Sequence, residues 1–442
     1  MRKNFFLISI IAATSLFARD LSLAEAEELA LKNNLQIRLS QESLKKAKAS
    51  GRETLANFFP TINSHYQLTD NLELPVIVID MDGDGPLPPQ ELKMGSQYGS
   101  TAGIQLSYPV FTGGAIINGQ LIASSMVNLS ELNLQDQVNT VIYSIRLVYY
   151  QIQMLESMLD ATRQGLLSAE ENYELALKRQ EVGQGTRLDV LQAKVRYESY
   201  KPQLISLENQ LVSAKINLKT LINDPDLNDI SISKELEQIP NPYEGFTLTD
   251  LQQITLNERH EIRMAEEQKK IAKYQRNIAW SNVLPKVQVA SSVQWQSNVD
   301  ALSDLDHRRS SNISLSVSLP LFAGGKNAAG IQKAAIGIKE AGYQIDQIEN
   351  FVLTDVDAAY RKVLEMQSNI FATEDVVRQA EEALRLSKLL YETGSATQLD
   401  LMTAESGFIS ARSNYISSVF QYNIAVEELK KSLNNLITYH GE

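Results

Sequence analysis

The sequence predicts a mainly α-helical chain that also contributes four transmembrane β-strands, arranged as an internal tandem repeat. Three observations lead there. Two long stretches, 114–180 and 325–391, contain no proline. Four runs of roughly ten residues, the length of a tilted membrane strand, alternate apolar with small polar side chains. One half of the chain also aligns on the other.

The alignment sets the organisation. LSYPVFTGG at 106–114 recurs as VSLPLFAGG at 317–325, and the pair Pro109 and Pro320 gives an offset of 211 residues. The same offset of 211 matches Tyr149 with Tyr360, EVGQGTRLDVLQA (181–193) with ETGSATQLDLMTA (392–404), and Asn223 with Asn434. Upstream, LANFFPTIN and WSNVLPKVQ match through Pro60 and Pro285 at an offset of 225, so the first copy holds 14 extra residues. A long self-match of this kind is the mark of a repeat architecture. We therefore divide the chain into a leader at 1–18, a first repeat at 19–223, a linker at 224–246 containing Pro225, Pro240 and Pro242, and a second repeat at 247–442. Each repeat reads helix, strand, loop, strand, very long helix, turn, helix.

The leader has Arg2 and Lys3 before a largely apolar run at 5–13, then Ser15-Leu16-Phe17-Ala18, the layout of an export signal. Without Arg2 and Lys3 the balance falls from −12 to −14, 39 basic residues against 53 acidic. Nothing in that balance favours nucleic acid. Absence of cysteine excludes disulfides, thiol chemistry and a zinc ribbon. The histidines, His65, His260, His307 and His440, have no metal-binding spacing. Beyond the leader no apolar run is long enough for a membrane helix.

In the strands, Ile62, Tyr66 and Leu68 oppose Asn63, His65 and Gln67, and Ile104, Leu106, Tyr108 and Val110 oppose Gln105 and Ser107. Val287, Val289, Val293 and Trp295 oppose Lys286, Gln288 and Gln294, and Ile313 to Leu321 alternates with Ser314, Ser316 and Ser318. Period two gives each strand one dry and one wet face. A soluble sandwich would alternate in the same way. The long helices separate the two readings, because apolar residues recur at three and four (Val141, Ile145, Val148, Ile152, Leu155; Val352, Val356, Ala359, Val363, Met366). Such helices need neighbours, as in a coiled coil. Four strands cannot close a conducting barrel, and an open sheet edge cannot face lipid. Three chains would supply twelve strands, so the expected object is a homotrimeric 12-stranded β-barrel joined to a long α-helical barrel.

The chain resembles the TolC-like outer membrane factors. The resemblance rests on the repeated strand-to-helix junctions (Pro109, Gly113, Gly114; Pro320, Gly324, Gly325), on the turns VGQGTRLDVL and TGSATQLDLM, and on the opening LSLAEAEELALKNN. It implies a homotrimer in outer-membrane lipid with its helices in the periplasm of a Gram-negative cell. It further implies a periplasmic adaptor and an inner-membrane RND or ABC transporter as partners. The chain would then be the exit duct of a tripartite efflux pump or a type I secretion system, with no catalysis. The alternative is a non-conducting coiled-coil scaffold or adhesin of the cell envelope.

The resemblance also places the two helical turns at the periplasmic end. Gly183 and Gly394 would end the long helices in left-handed caps, and Thr186 and Thr397 would cap the returning ones, together forming the adaptor-docking tip. Asp189 and Asp400 fall in the first turn, where a carboxylate suits the helix dipole. The functional reading makes Asp400 an acidic ring at a gate that favours cations. The family's second acidic residue is replaced by Thr403, and its locking arginine by Ala396. Arg187 is expected to substitute for that arginine, and Tyr391 to join the closed-state network.

One further motif stands apart. DMDGDGPLPPQE (80–91) has the Asp80, Asp82, Asp84, Glu91 spacing of an EF-hand calcium loop. Its flanks, LELPVIVI and PLPPQELKMG, read as β-hairpin arms and not as the required helix pair. No cofactor is expected beyond a calcium ion stiffening this exposed loop.

Overall fold

The computed structural model describes residues 19–79, 90–224, 230–232 and 235–434. The leader, most of the acidic dodecamer (Asp80, Asp82 and Asp84 included) and part of the linker lie outside the described residues. In chain order the elements are β1 (Arg19–Asp20), α1 (Leu23–Asn33), α2 (Leu35–Ala56), β2 (Thr61–Asp70), β3 (Val76–Ile79), β4 (Gln90–Lys93), β5 (Tyr98–Phe111), α3 (Ala115–Glu181) and α4 (Arg187–Ile222). Then follow β6 (Ile230–Ser231), α5 (Leu248–Glu258), α6 (His260–Ser281), β7 (Lys286–Val299), β8 (Arg308–Ser318), α7 (Lys326–Glu392) and α8 (Gln398–Ser432). Helices α3 and α7 each run 67 residues. At about 1.5 Å per residue each is on the order of 100 Å long. The chain divides into two compact units.

The unit at 44–130 and 264–346 holds the four long strands β2, β5, β7 and β8. They form one antiparallel sheet in the order β2-β5-β7-β8. Its register aligns the alternation read from the sequence. Ile62 pairs with Leu106, Leu106 with Ser291, and Ser291 with Ile313, while Ile104 pairs with Val293. All four apolar rows therefore share one face, and the Asn, Gln and Ser rows share the other. Among the described residues neither outer strand has a partner on its free side. The apolar side chains there are bare: Ile62 is 67% exposed and Ile313 77% exposed. β3 and β4 form a separate hairpin, Ile79 opposite Gln90. The arms of the acidic dodecamer are thus strands, and no EF-hand helix pair flanks it.

Strand-to-helix junctions in this unit depend on paired glycines with positive φ: Gly113 and Gly114 at 64° and 85°, Gly324 and Gly325 at 58° and 81°. Gly113 also sits against α6, where a Cβ would come within 2.8 Å of the Ser281 carbonyl oxygen. Only glycine meets both conditions.

The second unit comprises the chain through residue 43, 131–263, and from 347 on. Its core lies along one stripe of α3 (Val138, Ile142, Ile145, Ile152) and, separately, where Val356, Val363 and Met366 of α7 meet Val419, Val426 and Leu429 of α8. Two arginines, Arg146 partly buried and Arg259 buried, add polar ties. Arg146 bonds Glu27 and Glu427, each at 2.6 Å. Arg259 reaches Asp355 at 2.9 Å and donates to the Ser432 carbonyl oxygen at 2.6 Å. Removing one partner would strand a buried charge, which costs far more than the pair contributes.

Helix ends repeat their chemistry at the offsets seen in the sequence. Ser22 with Glu25, and Thr247 with Asp250, both form capping boxes. Asn223 and Asn434 adopt left-handed φ of 53° and 57°. Their side chains donate to the carbonyl oxygens of Asn33 and Glu258 respectively. A detail absent from the sequence reading is the two-residue parallel pairing of β1 with β6, which ties the linker to the N-terminal segment. Leu21, just after β1, is fully buried, and its carbonyl accepts the Tyr149 hydroxyl at 3.1 Å.

Candidate functional site

The candidate site is the pair of turns joining α3 to α4 and α7 to α8, both in the helical unit. Each long helix ends in a glycine with positive φ, Gly183 at 76° and Gly394 at 79°. The next amides fold back: Gln184 donates to the Arg179 carbonyl and Ser395 to the Leu390 carbonyl, both at 2.8 Å. These bonds satisfy carbonyls that a helix end leaves free. Thr186 and Thr397 then cap the returning helices, accepting from the Asp189 and Asp400 amides.

The carboxylates complete the caps. Asp189 accepts from the Thr186 amide at 2.8 Å and its hydroxyl at 2.7 Å. Asp400 accepts from the Thr397 amide at 2.8 Å and its hydroxyl at 2.6 Å. Those bonds hold the Asp400 carboxyl below its ordinary range, so it stays ionised at neutral pH. Both bonds from Thr397 reach one oxygen of Asp400, Oδ2, and the side chain is exposed. Capping and a charged rim are therefore compatible roles for the same residue. Thr403 is exposed one turn further on and donates its hydroxyl to the Leu399 carbonyl at 2.8 Å.

Arg187 is exposed and has no hydrogen bond or ion pair among the described residues. The arginine that does reach across is Arg179, in the last turn of α3. Its guanidinium lies 4.2 Å from the Tyr391 ring centre and donates to the Tyr391 carbonyl oxygen at 2.7 Å. A second contact reaches the Glu392 carbonyl at 3.4 Å. Tyr391 is only 4% exposed. Burial pushes its phenol up, and the Arg179 charge partly opposes that. Arg179 thus acts as a cation at the C-terminal end of α7, where free carbonyls favour it. The repeat itself held the clue: at the 211 offset, Arg179 corresponds to Leu390, an unmatched charge beside Tyr391.

Further along, Asn172 of α3 donates to buried Glu405 of α8. Burial raises the Glu405 carboxyl, against the pull of Asn172, Arg196 and Lys388. This cluster was also missed, because its members come from four helices. Glu91, the one member of the calcium set described, is exposed in β4. Among the described residues no group of His, Asp and Glu is arranged to hold a metal.

Comparison with known proteins places these features in a family. The model of the outer membrane efflux proteins matches residues 27–224 and 251–435. The chain is 23% identical to outer membrane efflux protein BepC of Brucella suis over 321 residues, 71% of this chain and 67% of BepC. It is 21% identical to alkaline protease secretion protein AprF of Pseudomonas aeruginosa over 303 residues, 68% of this chain and 63% of AprF. Among solved structures, the Campylobacter jejuni CmeC outer membrane channel superposes with a TM-score of 0.78 at 17% identity, covering 98% of this chain and 93% of CmeC. The fold is that of the TolC-like channels, and the chain belongs to the outer membrane efflux protein family, an outer-membrane protein of the Gram-negative envelope that extends into the periplasm.

Proposed function

We propose that three copies of this chain form a passive exit duct, through which an inner-membrane transporter and a periplasmic adaptor deliver cargo for efflux or type I secretion. The observation that carries the proposal is the sheet: one face apolar, the other polar, and both edges unpaired. A lone sheet of this kind can neither enter lipid nor stay dry. Its strand count is even, so β8 of one copy runs antiparallel to β2 of the next, and three copies close twelve strands. The two tandem repeats would each contribute two strands and one long helix. The efflux and secretion names of BepC and AprF support both routes without choosing between them.

In this reading the turns at Gly183, Thr186, Gly394 and Thr397 dock the adaptor, and the Arg179–Tyr391 clamp holds the gate. Asp400 forms the threefold acidic ring, while Asp189 serves its cap and Thr403 leaves the ring singly acidic. The 80–91 segment, most of which lies outside the described residues, is proposed as a calcium loop. A calcium titration should raise the melting temperature, and an unchanged value removes the idea.

The test of the duct is direct. The purified protein should fractionate with the outer membrane as a trimer and conduct ions in planar bilayers. A trimer that is stable yet silent, in wild type and in a clamp-deficient Arg179→Ala variant, would favour a scaffold.

A further inference from the structure

The sheet's polar face has an unusual charge content for so acidic a chain. Its rows can be followed strand by strand. His65, Gly103, Gln294 and Ser310 form one row. The row toward the loops is Gln67, Thr101, Gln296 and Arg308. Toward the helices, Asn63, Gln105, Ser292 and Asn312 are followed by Thr61, Ser107, Ala290 and Ser314. Lys286 opposite Ser318 closes the face at its helical end. Within these paired rows the ionisable groups are Lys286, His65 and Arg308. None is a carboxylate, although the chain has 53 Asp and Glu.

His65 is also given room. A Cβ on Gly103, its cross-strand partner, would lie 2.6 Å from His65 Cε1 and 3.2 Å from Gln294 Cγ. The absence of a side chain at 103 lets the imidazole lie over the sheet between β2 and β5. No side chain beside it on this face ionises: Asn63 and Gln67 flank it on β2, Thr101 and Gln105 on β5, and Gln294 lies beyond on β7. Arg308, one row away on β8, is the nearest charged member of the face by register. His307 belongs to the other face, where its Nε2 lies 3.1 Å from the Ser100 hydroxyl.

We propose that the polar face of the sheet is a basic, proton-tunable selectivity element, in which Lys286 and Arg308 favour anions at the two rims and His65 adds positive charge on acidification. The proposal rests on the duct reading, in which this face lines the lumen. Three copies turn each residue into a ring, and rings of basic side chains select for anions. An imidazole changes charge between about pH 5 and 8, where ordinary carboxylates and lysines do not. The ligand class is small anions and the anionic groups of cargo in transit.

The experiment is the reversal potential of the full-length trimer in planar bilayers under a KCl gradient, at pH 8 and pH 5.5, in wild type and in Arg179→Ala. Three added charges lining the lumen, screened over about 10 Å at 0.1 M salt, should raise the chloride-to-potassium permeability ratio about threefold or more on acidification. His65→Gln keeps the polar face and should abolish that pH response while leaving conductance at pH 8 unchanged. Arg308→Gln and Lys286→Gln should lower the ratio at both pH values. The response should also weaken as salt rises. A pH response equal in His65→Gln and wild type, or absent from wild type, overturns the inference and leaves the duct intact. If neither wild type nor Arg179→Ala conducts, the duct reading falls and this inference with it.

Discussion

Replacing Arg179 with alanine isolates the contact that joins the two turns. The guanidinium makes a charge-assisted hydrogen bond to the Tyr391 carbonyl at 2.7 Å, a type worth about 1.5 kcal/mol or somewhat more. It also stacks on the buried Tyr391 ring at 4.2 Å, which adds roughly 0.5–1 kcal/mol because the guanidinium itself is partly exposed. Together these stabilise the joined arrangement by about 2 kcal/mol, a factor of roughly 30 in an open-to-closed ratio. The Glu392 contact, at 3.4 Å, is too long to add much. Arg179→Ala should therefore raise the frequency of full openings in planar bilayers about 30-fold, with trimers intact on gels. Arg179→Lys keeps the charge but loses the planar fork, and should fall between. An opening frequency within about twofold of wild type would refute the clamp, since a contact of 2 kcal/mol cannot be removed silently.

Three further outcomes follow from the turns and the core. Asp400→Asn keeps an acceptor for the Thr397 cap but removes the charge, so it should weaken cation preference without loss of trimer; unchanged reversal potentials would leave Asp400 a cap alone. Alanine at Gly183 or Gly394 must take a positive φ, at a cost of about 1 kcal/mol. It should reduce adaptor capture in pull-downs and leave the trimer in place, and normal capture would move docking elsewhere. Glu405 has its folded carboxyl raised by burial, so the folded chain binds the proton more tightly than the unfolded chain. Its contribution is thus full below the ordinary carboxylate range and is lost as pH rises through the raised value. Glu405→Gln should flatten the fall in melting temperature from pH 5 to pH 8 and add on the order of 1 kcal/mol at pH 8; a slope equal to wild type would exclude Glu405 as its source.

Periodicity and caps were legible in the sequence. Proline-free spans with three–four spacing gave α3 and α7, and Thr-x-x-Asp after glycine gave both turns to within a residue. Alternation gave each strand its two faces, because a strand exposes its period directly. What escaped depends on neighbours distant in the chain. The break between α1 and α2 is made by Asn34, whose Oδ1 accepts from the Gln36 and Ile37 amides while its Nδ2 donates to the Leu221 carbonyl. The β1–β6 pairing is two residues long and leaves no alternation to find. Arg187 was expected to reach across the tip because it sits in the turn. Arg179 does so because the last turn of α3 faces the end of α7, a relation carried by packing and not by local pattern.

The free edges of β2 and β8 bear on the order of assembly. On a ten-residue edge strand, roughly ten outward backbone groups have no partner until another copy arrives. Each would cost several kcal/mol in hydrocarbon. In the proposed trimer, a single copy, or two, would therefore stall at the membrane surface, and the barrier would fall only when the ring is complete. Insertion would then be a three-body event, and surplus copies would find no edge once it had happened. In a pulse-labelled membrane preparation, urea-resistant integration should appear together with the trimer band; monomers that resist urea first would show that edges are satisfied another way.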